Sequence, residues 1–177
     1  SYPEVQEYMI EQFLWMGKTG ADAVEMIFTR GMPYVLFEPP FVERFQSVYG
    51  CDPRYLPLDD ARVTDLRCEV MTEFVRKLRI RLDEACGKGT VGLHARVLFS
   101  VYDSRHVAVD FPRWAREGLI TGIISYPQRI RERLEGDVWQ DDSKTLLDLQ
   151  KYHAYAMQAE RTIIFRRRKI GFVFQAY

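Results

Sequence analysis

Three cysteines and three histidines are all that the 177-residue chain carries. Cys51, Cys68 and Cys86 make no CxxC pair, and no histidine lies among them at ligand spacing. Neither a metal centre nor a dithiol redox motif is therefore expected, and the cysteines read as thiols. Cys68 and Cys86 share one predicted helix, where their separation spans about 27 Å. A disulfide needs Cα atoms within about 7 Å, so these two do not pair. No apolar run reaches about 18 residues, so no membrane-spanning helix is expected. No GxGxxG follows a strand pattern, and no P-loop or GxSxG elbow occurs, so nothing points to a nucleotide cofactor or a serine hydrolase. Ser1-Tyr2-Pro3 leads straight into an amphipathic segment, without the basic and apolar regions of a secretion signal. There is no internal repeat and no low-complexity linker.

What is present is ordinary for a folded domain: 47% hydrophobic and 28% charged residues, with a formal net charge of zero. One α/β domain over residues 1–177 is the simplest division. The charge is uneven, because Arg161, Arg166, Arg167, Arg168 and Lys169 follow Glu160 with no acidic residue among them. Such a tail could meet a polyanion, but a solvated terminus is the plainer reading, and nucleic acid is not the expected partner.

Hydrophobic spacing orders the chain. Val5, Met9, Phe13 and Met16 predict a helix over 3–18, with Pro3 suited to its first turn. Residues 23–29 read as a buried strand that ends at Arg30-Gly31. A short helix is expected over 41–49, closed by Gly50. Asp59 or Asp60 caps a long helix with Val63, Leu66, Val70, Phe74, Leu78 and Leu82 on its stripe, stopped by Gly87 and Gly89. Strands follow at 90–100 and 120–126, around a short helix at 111–117 capped by Asp110. A helix over 143–160 and strands at 162–165 and 170–174 complete the pattern. Strands separated by helices imply parallel pairing with right-handed crossovers. A (β/α) barrel segment and an open doubly wound sheet both fit.

Three blocks favour the barrel: residues 27–45, running from Ile27-Phe28-Thr29-Arg30-Gly31 to Phe45; residues 49–60, with Tyr49-Gly50-Cys51-Asp52-Pro53-Arg54, and the helix behind them; and Ala95-Arg96-Val97-Leu98 followed by residues 109–120, with Asp110-Phe111-Pro112-Arg113-Trp114. Together they resemble the glycoside-hydrolase-like TIM-barrel proteins of bacteria, over roughly residues 3–126. The resemblance implies a sugar-processing barrel, with no cofactor and with its site at the C-terminal strand ends, here 29–38, 97–103 and 125–127. A full eight-stranded barrel takes about 250 residues, so this chain would be a partial one, completed by further chain or by an oligomer. Strands of this kind often carry an acidic residue two or three positions before the arginine, whereas positions 27 and 28 are Ile and Phe. That departure opens the alternative of a non-catalytic carbohydrate-binding barrel. A third alternative is an α/β interaction module that uses the basic tail.

Glycoside hydrolysis needs two carboxyl groups about the scissile bond. Glu38, between Phe37 and Pro39, is the candidate acid, with a surface loop carboxylate as the plainer alternative. Glu25 stands in an apolar strand, where it serves catalysis or pairs with Arg96 or His94 of the next strand. Asp103 is a third candidate carboxylate, or a turn residue. Arg30 and Arg96 could grip an acidic sugar or hold a catalytic carboxylate through bidentate contacts, or form internal salt bridges. His94 shares the face of Arg96, and Tyr34, Tyr102 and Tyr126, with Phe37 and Trp114, are candidate stacking surfaces for sugar rings. The expected partner is a carbohydrate.

Overall fold

The computed structural model describes residues 2–28, 33–57, 59–98, 101–126 and 171–174. Arg30, the predicted helix over 143–160, the strand at 162–165 and the basic cluster at 166–169 lie outside the described residues. The chain forms a mixed α/β fold in two compact units. Among the described residues, no helix is long and apolar enough to cross a membrane.

The first unit comprises Ser1–Val24, Met32–Val91 and Arg105–Val109. Helix α1 (Pro3–Lys18) opens with proline, whose missing N–H falls where a helix has no partner for it. It buries Ile10, Phe13 and Leu14 and packs on α3. At the contact Gly17 allows a close approach: a Cβ there would lie 2.9 Å from Leu82 Cδ1 and 3.1 Å from Cys86 Sγ, so those side chains would have to shift. Helix α2 (Pro39–Tyr49) begins two residues earlier than expected. Pro39 and Pro40 do not break it but start it, since both sit in the first turn where no intrahelical N–H bond is lost. Gly50 ends it at φ 69°, and its N–H donates to Gln46 O at 2.8 Å. A single 3₁₀ turn, Pro53–Tyr55, precedes α3 (Ala61–Cys86). Asp60 caps α3, its Oδ1 accepting from the Arg62 N–H at 2.9 Å.

Val63, Leu66, Val70, Leu78 and Leu82 are buried along α3 as the stripe predicts, whereas Phe74 of that stripe is half-buried and its neighbour Val75 is fully buried. Arg67 and Arg79 are buried on the same side, which the stripe does not predict. Arg79 Nη1 donates to Val91 O at 3.0 Å, and Nη2 to Asp83 Oδ1 at 2.6 Å. Asp83 Oδ1 also accepts from the Gly89 N–H at 2.9 Å, so one buried arginine fixes the turn that leaves α3. The segment 105–109 is anchored by Cys68 Sγ donating to Arg105 O at 3.5 Å and by the Tyr34 N–H donating to Val107 O at 3.3 Å. Within it Ala108 takes the left-handed region at φ 74°, a backbone state that costs a non-glycine residue about 1–2 kcal/mol.

The second unit holds the sheet and comprises Glu25–Gly31, Gly92–Ser104 and the chain from Asp110 on. Strands β1 (Ala23–Ile27), β2 (Gly92–Leu98), β3 (Gly122–Tyr126) and β4 (Gly171–Phe174) lie in that order. The β2–β3 and β3–β4 pairs are parallel, with His94 opposite Gly122 and Ile123 opposite Phe172. The α/β reading and the parallel pairing therefore hold, in a sheet of four described strands. Along β2, Leu93, Ala95 and Val97 are fully buried, while Gly92, His94 and Arg96 are half-buried on the other face. Helix α4 (Val101–His106) follows β2 where the sequence suggests a loop; its six residues are too few to show a period. Helix α5 (Phe111–Arg116) is capped by Asp110, as expected. Trp114, offered above as a loop-face aromatic, is instead fully buried in α5 with its ring 5.6 Å from that of Phe28. A tryptophan on the inner side of a short helix removes more apolar surface from water than any other residue could there.

Candidate functional site

The polar face of β1 and β2 is the natural starting point. A strand alternates its side chains between two faces, so Glu25 is set off from the buried Val24 and Met26, and His94 and Arg96 from Leu93, Ala95 and Val97. Arg96 Nε donates to Glu25 Oε1 at 2.5 Å, and Nη2 donates to Oε2 at 3.3 Å. The fork thus engages both carboxylate oxygens, the geometry that suits an ionised carboxylate. The side chains keep 23% and 28% exposure, intermediate between a surface pair and a sealed one. This is the pairing that an acidic residue inside an apolar strand requires.

His94 lies against the backbone of its opposite residue, Gly122. A Cβ on Gly122 would stand 2.8 Å from His94 Cδ2 and 3.0 Å from Nε2, so the glycine is what lets the imidazole lie over β3. Glu25, His94 and Arg96 share the half-buried face of β1 and β2, opposite the buried Val24, Met26, Leu93, Ala95 and Val97.

Two further carboxylates follow strands in the chain. Asp103 sits in the first turn of α4, directly after β2, and is 7% exposed. The next residue, Ser104, donates through Oγ to Leu98 O at 3.3 Å, tying the helix back to the strand end. Tyr102, in the same turn, is half exposed. In the first unit Glu38 occupies the N-cap position of α2 without a side-chain capping bond. Tyr34 is half-buried and its backbone is fixed to Val107. Tyr126 ends β3 opposite Leu98.

Sequence reasoning missed Arg67. It rises from α3 beneath an aromatic ladder in which Phe37, Phe41, Phe45 and Tyr49 follow at four-residue steps, with successive centroids 6.1, 6.1 and 4.6 Å apart. The Arg67 guanidinium lies 4.7 Å from the centroid of Phe37 and 5.9 Å from that of Phe41. A signal was there: Val63, Arg67, Met71 and Val75 form one four-residue row, so Arg67 falls on the buried side of its helix.

A separate open cleft of about 380 Å³ is lined by Gly17, Lys18, Asp22, Cys86 and Thr90 among others. These residues lie on the chain segments that lead into β1 and β2. Among the described residues, no three His, Cys, Asp or Glu side chains converge as metal ligands would. No protein-family model matches the chain, and no curated protein sequence matches it.

Proposed function

We propose that this chain is part of a glycoside-hydrolase-like (β/α) barrel that takes a carbohydrate and acts on a glycosidic bond through paired carboxylates. The observation that carries the reading is the half-buried patch of Glu25, His94 and Arg96 on the side of β1 and β2 opposite the aliphatic core. In a closed barrel that side turns inward, and the ligand site lies where the strands end. The parallel strands with intervening helices, and a buried carboxylate immediately after β2, support it further. A closed barrel takes eight strands, and those beyond the four described are supplied by the rest of this chain, by further chain or by a second copy.

Within this reading Glu38, in the first unit, is the candidate general acid, and Asp103, in the second, is a further candidate carboxylate, each following a strand in chain order. Glu25, both of whose oxygens face Arg96, positions that arginine and does not itself move a proton. Tyr34, His94 and Tyr102 are the candidate sugar contacts among the described side chains. General acid catalysis contributes about 10²–10⁴-fold. Glu38→Gln is therefore expected to lower glycoside turnover by at least about a hundredfold with an unchanged circular dichroism spectrum and melting temperature. Undiminished turnover in that variant removes Glu38 from the mechanism.

One observation favours a second reading, a barrel that binds carbohydrate without cleaving it. The Glu25–Arg96 pair occupies one of three candidate carboxylates, leaving the chemistry to Glu38 and Asp103 alone. Saturable glycan binding with no turnover in the unmodified chain would select it.

A further inference from the structure

We infer that Arg67 is an anion-recognition residue that selects a carboxylate-bearing sugar, a uronic acid, over its neutral counterpart. The inference rests on the carbohydrate reading above and names the substrate class for it. Arg67 is 8% exposed, its Nε has no hydrogen-bond partner, and no ion pair reaches it among the described residues. Its neighbours are instead the rings of Phe37 and Phe41. Burial pulls the guanidinium down from its ordinary pKa, while the negative charge of Glu38 opposes that without bonding to it. Arginine nevertheless stays protonated in proteins.

Burying a guanidinium with its Nε unbonded costs more than two ring contacts return, and the Glu38 charge offsets only part of that cost. A structural role would be met more cheaply by methionine or leucine, which suit the neighbouring Val63 and Met71 positions. An aromatic ring engages the face of a guanidinium and leaves its in-plane N–H donors for a planar acceptor. A carboxylate matches that fork with two parallel hydrogen bonds, and the half-buried Phe37 ring beside it suits the apolar face of a sugar, whereas Phe41 is buried in the core. Phe37 and Glu38, the residues that act on Arg67, belong to the segment joining β1 to α2, the part of the chain that carries the candidate acid.

The test is calorimetry on the full chain at low ionic strength, with uronate trisaccharides such as trigalacturonate against their carboxyl-reduced neutral counterparts. The acidic sugar is expected to bind at least about tenfold tighter, as one charge-assisted bidentate contact provides. Arg67→Met should abolish that preference while changing affinity for the neutral sugar less than about twofold. Arg67→Lys should restore part of it, because a point charge lacks the fork. Equal binding of both sugars by the unmodified chain overturns the inference whether or not the variants fold, and so does a preference that survives Arg67→Met. Binding of the neutral sugar alone overturns the inference but leaves the carbohydrate reading standing. Binding of neither overturns both.

Discussion

Removing either partner of the Glu25–Arg96 pair leaves a half-buried charge on the sheet. Breaking a fully buried ion pair costs about 3–5 kcal/mol, whereas an exposed pair contributes about 0–1 kcal/mol. With side-chain exposures of 23% and 28%, this pair lies between those limits. Two hydrogen bonds to one carboxylate, discounted for the water that reaches them, place the loss on single substitution at about 1–3 kcal/mol. Glu25→Ala and Arg96→Ala should each lower the urea midpoint at constant m-value, since neither changes how much surface unfolding exposes. The double variant should be less damaged than the sum of the two, with a coupling of about 1–2 kcal/mol. Additivity within about 0.3 kcal/mol would refute the reasoning, because the two side chains would then not share an interaction in solution. It would also reopen a direct catalytic role for Glu25, since its oxygens would be available.

Arg79 offers a second test, on the first unit. Arg79→Met keeps the aliphatic stem but strips Val91 O and Asp83 of their donor, so it should cost about 2–3 kcal/mol, whereas Arg81→Met, on surface pairs with Glu7 and Glu11, should cost far less; equal losses in urea denaturation would contradict this. Acid should also destabilise the fold. The Arg44 guanidinium, bonded to Glu73 at 2.7 and 2.8 Å, holds that carboxyl below its ordinary range, and Arg62 does the same for Asp60. A carboxyl whose folded pKa lies below its unfolded value adds stability above the unfolded value, and that stability is lost as pH falls through the folded one. The urea midpoint should therefore drop as pH falls below about 4, and Arg44→Met should flatten the part of the slope due to Glu73. A midpoint that rises over that range would refute the assignment.

The parts of the fold legible in the sequence are those whose burial repeats along the chain. Helix α3 shows itself through Val63, Leu66, Val70, Leu78 and Leu82 and through the Asp60 cap, because a long amphipathic helix samples its period many times. Strand β2 is legible through Leu93, Ala95 and Val97. Helix α4 is not, because Val101–His106 spans less than two turns. The start of α2 is misread because proline breaks a helix interior but suits a first turn, and only the fold decides which of these Pro39 and Pro40 occupy. At the candidate site, Glu25 announces itself as a charge among Val24 and Met26, and the need for a partner leads to Arg96 two positions before the end of β2. Arg67 escapes that logic because an arginine in a charged helix reads as part of the wet face. Its burial depends on Phe37 and Phe41, far away in the chain. His94 over Gly122 depends in turn on the β2–β3 register, which no local pattern fixes.

The central claim is that the chain takes a carbohydrate, and calorimetric titration with a broad panel of neutral and acidic oligosaccharides tests it most directly. The account predicts saturable binding of at least one glycan class that weakens about tenfold or more when Tyr34 and Tyr102 are both replaced by alanine, as loss of stacking surface requires. No binding across the panel, or binding untouched by that double replacement, would contradict it.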